Sequence, residues 1–422
     1  MSTETRTAEE PQADSLEASA PDAPTGSARL VLLMALALLS TISPFATDMY
    51  LPSFPKMAEA LSTTPSGVQL TLTTFLIGVA LGQLTFGPLS DRYGRKPPLV
   101  VGTTLCVIAS ALAVVAPTIE VLFSARFFQG FGGAAGIVIA RAIVADVFQG
   151  GEAARIFSLL AVLGGLAPVT APVLGGLLAG PIGWRGVLAV LAALTVAMSL
   201  VAVFVIRETA PGRRRDARSH VAAPSAPSPH LGTILRRPGF TAYALVKTFG
   251  FMALMGYIAA SPFIFQDYIG VNEVGGAALF ALNSLALIAA NALNARLVQK
   301  VGPIRMMRVG LVMLTTAAAA LALIVLLGAS PWALVPTFVL LVGSMGLIFG
   351  NSIALAISHA RDAAGSASAF IGFAQFVAGA SVAPLVGMAG RASPVPLTLV
   401  VLGATAGTWA CALVAGRARP PG

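Results

Sequence analysis

Residues 87–96 read Gly87-Pro88-Leu89-Ser90-Asp91-Arg92-Tyr93-Gly94-Arg95-Lys96, a short basic break between two long apolar runs, 67–89 and 98–117. A helix that crosses a bilayer needs roughly 20 mostly apolar residues, and each neighbouring run supplies them. The break is therefore a connection between two membrane helices. Its three cations mark it as cytoplasmic, because short cytoplasmic loops carry the excess of Lys and Arg.

The same pattern repeats along the chain. Hydrophobic residues make up 56% of the 422 residues and charged residues 10%, against roughly 25% charged in soluble proteins. Too little polar surface exists to cover a globule in water. Twelve runs qualify as spans, at about 31–54, 67–89, 98–117, 119–143, 156–179 and 185–206, then 239–264, 273–295, 309–328, 332–357, 367–389 and 394–415. Tight breaks at Thr118 and at Ala329-Ser330-Pro331 make the flanking spans antiparallel hairpins. The expected fold is an all-α membrane protein of twelve helices in two pseudo-symmetric six-helix bundles.

Counting cations sets the expected orientation. With the amino terminus inside, the inner connections and termini hold 20 of the 26 Lys and Arg residues. The outer connections hold Lys56, Arg185 and Arg391, and Arg126, Arg141 and Lys247 fall within spans. Both termini are thus expected in the cytoplasm. The net charge of +9 is spent on this asymmetry, which excludes a nucleic-acid role. Cys106 and Cys411 sit in apolar runs and read as small buried hydrophobes. The three histidines, His220, His230 and His359, are scattered without metal-ligand spacing, so neither a metal nor a cofactor is expected.

Residues 1–28 are rich in Glu, Ala, Ser and Pro and read as a disordered cytosolic tail rather than a signal peptide. Residues 208–238 carry Arg213-Arg214-Arg215 and an Ala/Pro/Ser stretch from Ala222 to Pro229. They read as a flexible linker between bundles at 29–207 and 239–417, with a short tail at 418–422. A weak repeat supports the division: Ala295 to Ile304 (ARLVQKVGPI) echoes Gly87 to Lys96, aligning Leu89 with Leu297, Arg92 with Lys300 and Gly94 with Gly302. Asp91 meets Gln299, so the second copy lacks the acid. Two related halves around a central site are a recurring transporter plan.

The 87–96 segment resembles the inner-loop signature of the major facilitator superfamily. Asp48-Met49-Tyr50-Leu51-Pro52 looks like the hallmark of its bicyclomycin/chloramphenicol-resistance (Bcr/CflA) group of drug:proton antiporters. Arg126-Phe127-Phe128-Gln129-Gly130 is similar to the motif of proton-coupled members, and Ala171-Pro172-Val173-Leu174-Gly175-Gly176 to the antiporter motif. The general antiporter motif has glycine where this chain has Ala167 and Ala171, while Pro168 and Pro172 keep its kinked character. The resemblance covers residues 29–417. It implies a monomeric, multi-pass carrier of the bacterial cytoplasmic (inner) membrane, exchanging a small molecule for protons.

Of 17 Asp and Glu residues, only Asp48 lies well inside a span. A charged acid there costs about 2.5–3.5 kcal/mol on insertion scales, which points to function or to a partner that relieves the cost. The blander reading makes Asp48 a water-reaching residue or a cap near Pro52. Arg126 is the natural partner: counting ~1.5 Å per residue puts both at similar depth, and the resemblance implies that the first and fourth helices both face the central cavity, where the two would meet directly or through Gln129. The proton-coupling set is therefore Asp48, Arg126 and Gln129, with a fixed structural ion pair as the alternative.

Asp91, Arg92, Arg95, Arg141 and Asp146 gather at inner helix ends. They read as positive-inside anchors and capping acids. The resemblance implies that Gly87, Asp91, Arg92, Gly94, Arg95 and Arg141 form a latch on the cytosolic side. Gly164, Gly165, Pro168, Pro172, Gly175 and Gly176 in the fifth span serve close packing or antiport equally well. Lys247 either snorkels inward or faces the cavity; Tyr50, Tyr257 and Asn283 are candidate cavity groups, and equally candidate packing groups. No nucleophile elbow, HExxH or phosphate loop is present, so the chain is not expected to be an enzyme. Proton-driven export of small amphipathic drug-like molecules leads. Transport of a metabolite, and a membrane receptor that no longer transports, are the alternatives.

Overall fold

A computed structural model describes residues 26–148, 150–209, 231–360, 364–388 and 393–417. The first half comprises α1 (Gly26–Asp48), α2 (Phe54–Ala60), α3 (Pro65–Tyr93), α4 (Lys96–Val115), α5 (Ile119–Val147) and α6 (Gly150–Phe204). After the short α7 (Leu231–Leu235) come α8 (Pro238–Phe263), α9 (Glu273–Val301), α10 (Pro303–Leu327), α11 (Leu334–Ser358), α12 (Ala364–Val386) and α13 (Val395–Arg417). In lipid every backbone polar group must be satisfied within the chain, and helices do this. Ten helical stretches among the described residues are long and apolar enough to cross a membrane, and Phe370–Val386 is a shorter apolar helix.

Local chemistry sets the helix ends. Thr64, Thr118 and Asn272 accept hydrogen bonds from Gly67 N, Val121 N and Gly275 N, capping α3, α5 and α9. Pro65, Pro238 and Pro303 open helices where a missing N–H costs nothing. The fifth and sixth expected spans form one continuous stretch, α6, broken at Gly183 (φ 67°, ψ 177°). Only glycine holds that conformation easily, so α6 has two limbs and the rod count reaches twelve. The first span also differs from expectation. It ends at Asp48, and a 3₁₀ turn (Leu51–Ser53) and α2 replace its last turns, because Pro52 and Pro55 supply no N–H to continue the ladder.

The repeat has a backbone counterpart. Gly94 and Gly302 join α3 to α4 and α9 to α10 with φ of 90° in both. Within the halves, glycines let helices touch: Gly78 lies against the Phe127 carbonyl and Gly130 against the Phe75 carbonyl, locking α3 to α5. The expected linker, 208–238, contains α7, and its residues 210–230 lie outside the described residues, as do those of the two tails at 1–25 and 418–422.

The two ends of the bundle differ. The basic end carries Arg92, Arg95, Lys96, Arg236, Arg237, Arg305 and Arg308 at helix junctions. At the opposite end the halves are stitched together. Gln69 Nε2 donates to the Ala259 carbonyl at 2.9 Å, Thr73 Oγ1 to the Ala380 carbonyl at 2.7 Å and Gln266 Nε2 to the Pro52 carbonyl at 2.8 Å. Lys56 and Glu273 add an ion pair at 2.6 Å.

Candidate functional site

A cavity of about 500 Å³ lies between the halves, walled by α1, α3, α5 and α6 on one side and by α8, α9, α11 and α12 on the other. Its size suits a drug-sized molecule. Apolar and aromatic groups dominate, among them Leu76, Phe251, Met255, Phe280 and Phe376. Ser40, Ser43, Thr47, Gln83, Tyr257, Ser284 and Gln375 add polar groups. Asp48 and Arg141 are its charged residues.

Asp48 is 5% exposed and is the only carboxylate among the buried residues described. It lies at the sealed end of the cavity. Pro44, also lining the cavity one turn earlier, interrupts the α1 ladder beside it. Across the gap stands Tyr257 of α8, whose hydroxyl accepts a hydrogen bond from Asn283 Nδ2 at 2.7 Å. The Tyr257 hydroxyl hydrogen is thereby left for an acceptor within the cavity.

Arg126 does not pair with Asp48, which corrects the sequence expectation. The ion pairs among the described residues are Arg29–Glu152, Lys56–Glu273, Arg95–Asp91 and Arg95–Asp146. Arg126 is fully buried on the other side of α1. Its guanidinium donates to the Ala46 carbonyl at 2.6 Å and to Gln129 Oε1, and Gln129 Nε2 donates to Ser110 Oγ at 2.8 Å. The rings of Tyr50 and Phe75 cover its faces at 4.2 and 4.5 Å, a cation–π cage. The depths match as expected, but the facing does not. Arg126 engages the backbone carbonyl of Ala46, whereas Asp48 lines the cavity.

Tyr50 is likewise outside the cavity: it is fully buried, and its hydroxyl pairs with Thr71 Oγ1 at 3.0 Å. Lys247 does not line the cavity either. It is buried between α8 and α11, with Nζ 4.1 Å from the Phe349 ring centroid and 5.7 Å from that of Phe251. Asn283 is absent from the wall and acts on it through Tyr257.

At the basic end, the loop after α3 forms a compact polar knot. Arg95 Nη1 pairs with Asp91 at 2.6 Å and donates to Ser90 Oγ at 3.0 Å, while Arg95 Nε pairs with Asp146 at 2.7 Å. The hydrogen bond to Asp146 pushes the Arg95 guanidinium above its ordinary pKa, reinforced by Asp91 and opposed by burial. Sequence reading missed Glu208, whose carboxylate accepts from Arg95 N at 2.8 Å and Lys96 N at 3.1 Å. Its signal was an acid directly after Arg207 where the sixth span returns to the basic end. Gly94 is needed here twice over, by its φ of 90° and because a Cβ would lie 2.6 Å from Glu208 Oε2. Gly87 is not under such constraint, since a Cβ there would meet only Val138 at 3.8 Å. Arg92 turns outward over the Tyr93 ring at 5.4 Å. Arg141, expected in this cluster, faces the cavity instead, because it lies more than one turn before Asp146 on α5.

The antiporter-motif helix is the first limb of α6. A Cβ at Gly175 would run into the Met49 carbonyl oxygen, and one at Gly176 would lie 2.5 Å from Ala277 Cβ across the interface between halves. Pro172 packs near Leu51, Pro262 and Gln266. The side chain of Pro168 lies outside the described residues.

Two helical bundles enclosing a largely apolar cavity with a few polar groups, sealed at one end by bonds between the halves, define a membrane carrier. Residues 36–384 match the Major Facilitator Superfamily, and the chain belongs to that family of transporters. It is similar to the uncharacterised MFS-type transporter YdgK of Bacillus subtilis, 35% identical over 86% of this chain and 90% of that protein. A bicyclomycin resistance protein homolog of Haemophilus influenzae is 29% identical over 84% and 88%. A chloramphenicol resistance protein of Pseudomonas aeruginosa is 32% identical over 70% and 68%. Among solved structures, a bacterial homologue of the human lysosomal transporter Spinster, inward-facing and occupied, superposes with a TM-score of 0.72 at 18% identity, over 94% of this chain and 98% of that one. The POT family transporter PepTSo gives 0.70 at 15% identity, over 93% and 98%. These last two share the fold.

Proposed function

We propose that this transporter exports small, amphipathic, drug-like compounds across a bacterial cytoplasmic membrane in exchange for protons, by alternating access, with both termini in the cytoplasm. The observation that carries the reading is Asp48, a buried carboxylate in the cavity wall at the sealed end. Ionisable groups at membrane depth are costly and mark ion pathways. Rocking of the halves would expose Asp48 alternately to the two sides, so that it loads a proton from one and releases it to the other. The names of the resistance-protein relatives support drug-like cargo, and the basic end faces the cytoplasm by the positive-inside rule.

In this reading Arg126 and Gln129 hold the end of α1, and the Asp91–Arg95–Asp146–Glu208 knot fixes the basic end while the halves move. The driving force suffices: one charge crossing 100 mV supplies about 2.3 kcal/mol, enough for a roughly fifty-fold gradient. The test is substrate-driven proton flux in proteoliposomes. Asp48→Asn should abolish coupled flux, and undiminished flux refutes the assignment. Direction is read in a strain lacking its major pumps: overexpression should lower drug accumulation, and sensitisation would mean uptake.

A further inference from the structure

The proton-exchange reading leaves one charged group of the cavity unused. Arg126 is taken up by the Ala46 carbonyl, Gln129 and two aromatic rings, Arg95 by Asp91 and Asp146, and Lys247 by Phe349. Arg141 lines the cavity, is solvent-exposed, and makes no ion pair or hydrogen bond among the described residues. An arginine placed only to anchor the basic end would point to the bulk or to Asp146; this one points at the space where cargo must sit.

Its position gives the cavity a direction. Arg126 touches the Ala46 carbonyl, so it marks the depth of Asp48. Arg141 follows fifteen residues later on α5, about 22 Å along the axis at 1.5 Å per residue. The wall is therefore acidic at the sealed end, cationic toward the basic end, and apolar between. Ser40 adds a donor between the two ends. Its hydroxyl is buried without a partner, and Leu39 beside it packs against Gly136, five residues before Arg141 and about 7–8 Å from it along α5. A cargo with an anion at one end fits one way only, with its charge at Arg141, its apolar body among Phe251, Met255 and Phe376, and its charge far from Asp48.

We propose that Arg141 is the anion-recognition point of the cavity, and that the cargo it selects is an amphipathic organic anion, an apolar body bearing one carboxylate or similar oxyanion. The guanidinium suits this because its planar fork can grip both oxygens of a carboxylate. The assignment rests on the cavity being the cargo site, and does not depend on proton coupling.

The experiment is calorimetric binding of a matched pair, 2-naphthoate and 2-naphthamide, to the purified protein in neutral detergent. The wild type should prefer naphthoate. Arg141→Gln should weaken naphthoate roughly ten-fold or more, as loss of a charge-assisted hydrogen bond implies, and leave naphthamide unchanged, which also shows that the variant is folded. Arg141→Lys should keep part of the preference. Asp48→Asn removes a like charge from the cavity and should not lower the preference, so the anion site and the proton site fail separately: flux undisturbed by Asp48→Asn removes the exchange reading and leaves this one intact. Equal binding of the two probes by the wild type overturns the proposal, as does a preference that survives Arg141→Gln. Phosphatidylglycerol added to the micelles is the last arm. If it abolishes the preference, the anion held is a lipid headgroup and the cargo assignment falls.

Discussion

Alanine at Gly94 and alanine at Gly302 make a paired experiment on the loop of the basic end. Both glycines sit at φ 90°, with ψ of 169° and 148°. A residue with a Cβ is strained there by about 1–3 kcal/mol. At Gly302 nothing lies within 4 Å of the added atom, so strain is the whole effect. At Gly94 the new Cβ would lie 2.6 Å from Glu208 Oε2 and 2.9 Å from its Cδ. The carboxylate must move, giving up the hydrogen bonds from Arg95 N and Lys96 N. Hydrogen bonds to a charged group contribute about 1.5–3 kcal/mol each when wholly lost; at the membrane boundary water re-satisfies much of that, leaving about 1–2 kcal/mol for the two. Gly94→Ala should therefore cost about 1–2 kcal/mol more than Gly302→Ala. Thermal unfolding in detergent measures both, and Glu208→Ala completes a cycle in which Gly94→Ala retains only its strain. Equal costs at the two glycines, with no coupling to Glu208, would refute the picture of Glu208 as the clamp on this loop.

Two further outcomes follow from the seal and from α6. Thr73 Oγ1 bonds the Ala380 carbonyl, which Pro384 four residues on cannot serve for want of an N–H; Thr73→Val should disfavour the sealed state by about 1 kcal/mol, roughly five-fold in population. Spin labels at the exposed Ser62 and Met388 should then show more of the longer separation, and an unchanged distribution counts against this bond as part of the seal. Gly175→Ala drives a Cβ into the Met49 carbonyl, whereas Gly180→Ala meets nothing within 4 Å; the first should abolish transport and lower stability while the second is neutral, as read by flux and melting together.

What the sequence made legible is what the bilayer imposes on composition. Apolar run length and the placement of Lys and Arg gave the rods, and both are one-dimensional signals. The repeat was legible because Gly94 and Gly302 occupy the same positive-φ corner in each half. The burial of Asp48 was legible for the same reason, as an acid inside an apolar run. Facing was not. Residues 46, 48 and 50 alternate along one short stretch, yet the first bonds Arg126 through its carbonyl, the second lines the cavity and the third covers the Arg126 guanidinium with its ring. Arg141 was misplaced because depth on a helix can be counted from a sequence, whereas its angle depends on the neighbours. The division of α6 at Gly183 falls inside the break expected between the spans at 156–179 and 185–206.

The separation of Asp48 from Arg126 changes what the buried arginine can do for transport. A guanidinium in contact with the carboxylate would hold it ionised and tie α1 to α5 by charge. Held instead on the Ala46 carbonyl, Arg126 satisfies an orphan acceptor in the last turn of α1, where a cation is also favoured by the helix dipole. The rings of Tyr50 and Phe75 and the amide of Gln129 also hold it, while its Nε is buried without a partner. The arginine therefore spends its charge on fixing the geometry of α1 and, in the proposed exchange reading, would leave the protonation of Asp48 to the cavity. That is the division of labour an exchanger needs, since a site that must both bind and release a proton works only if no fixed counter-charge decides the matter in every state.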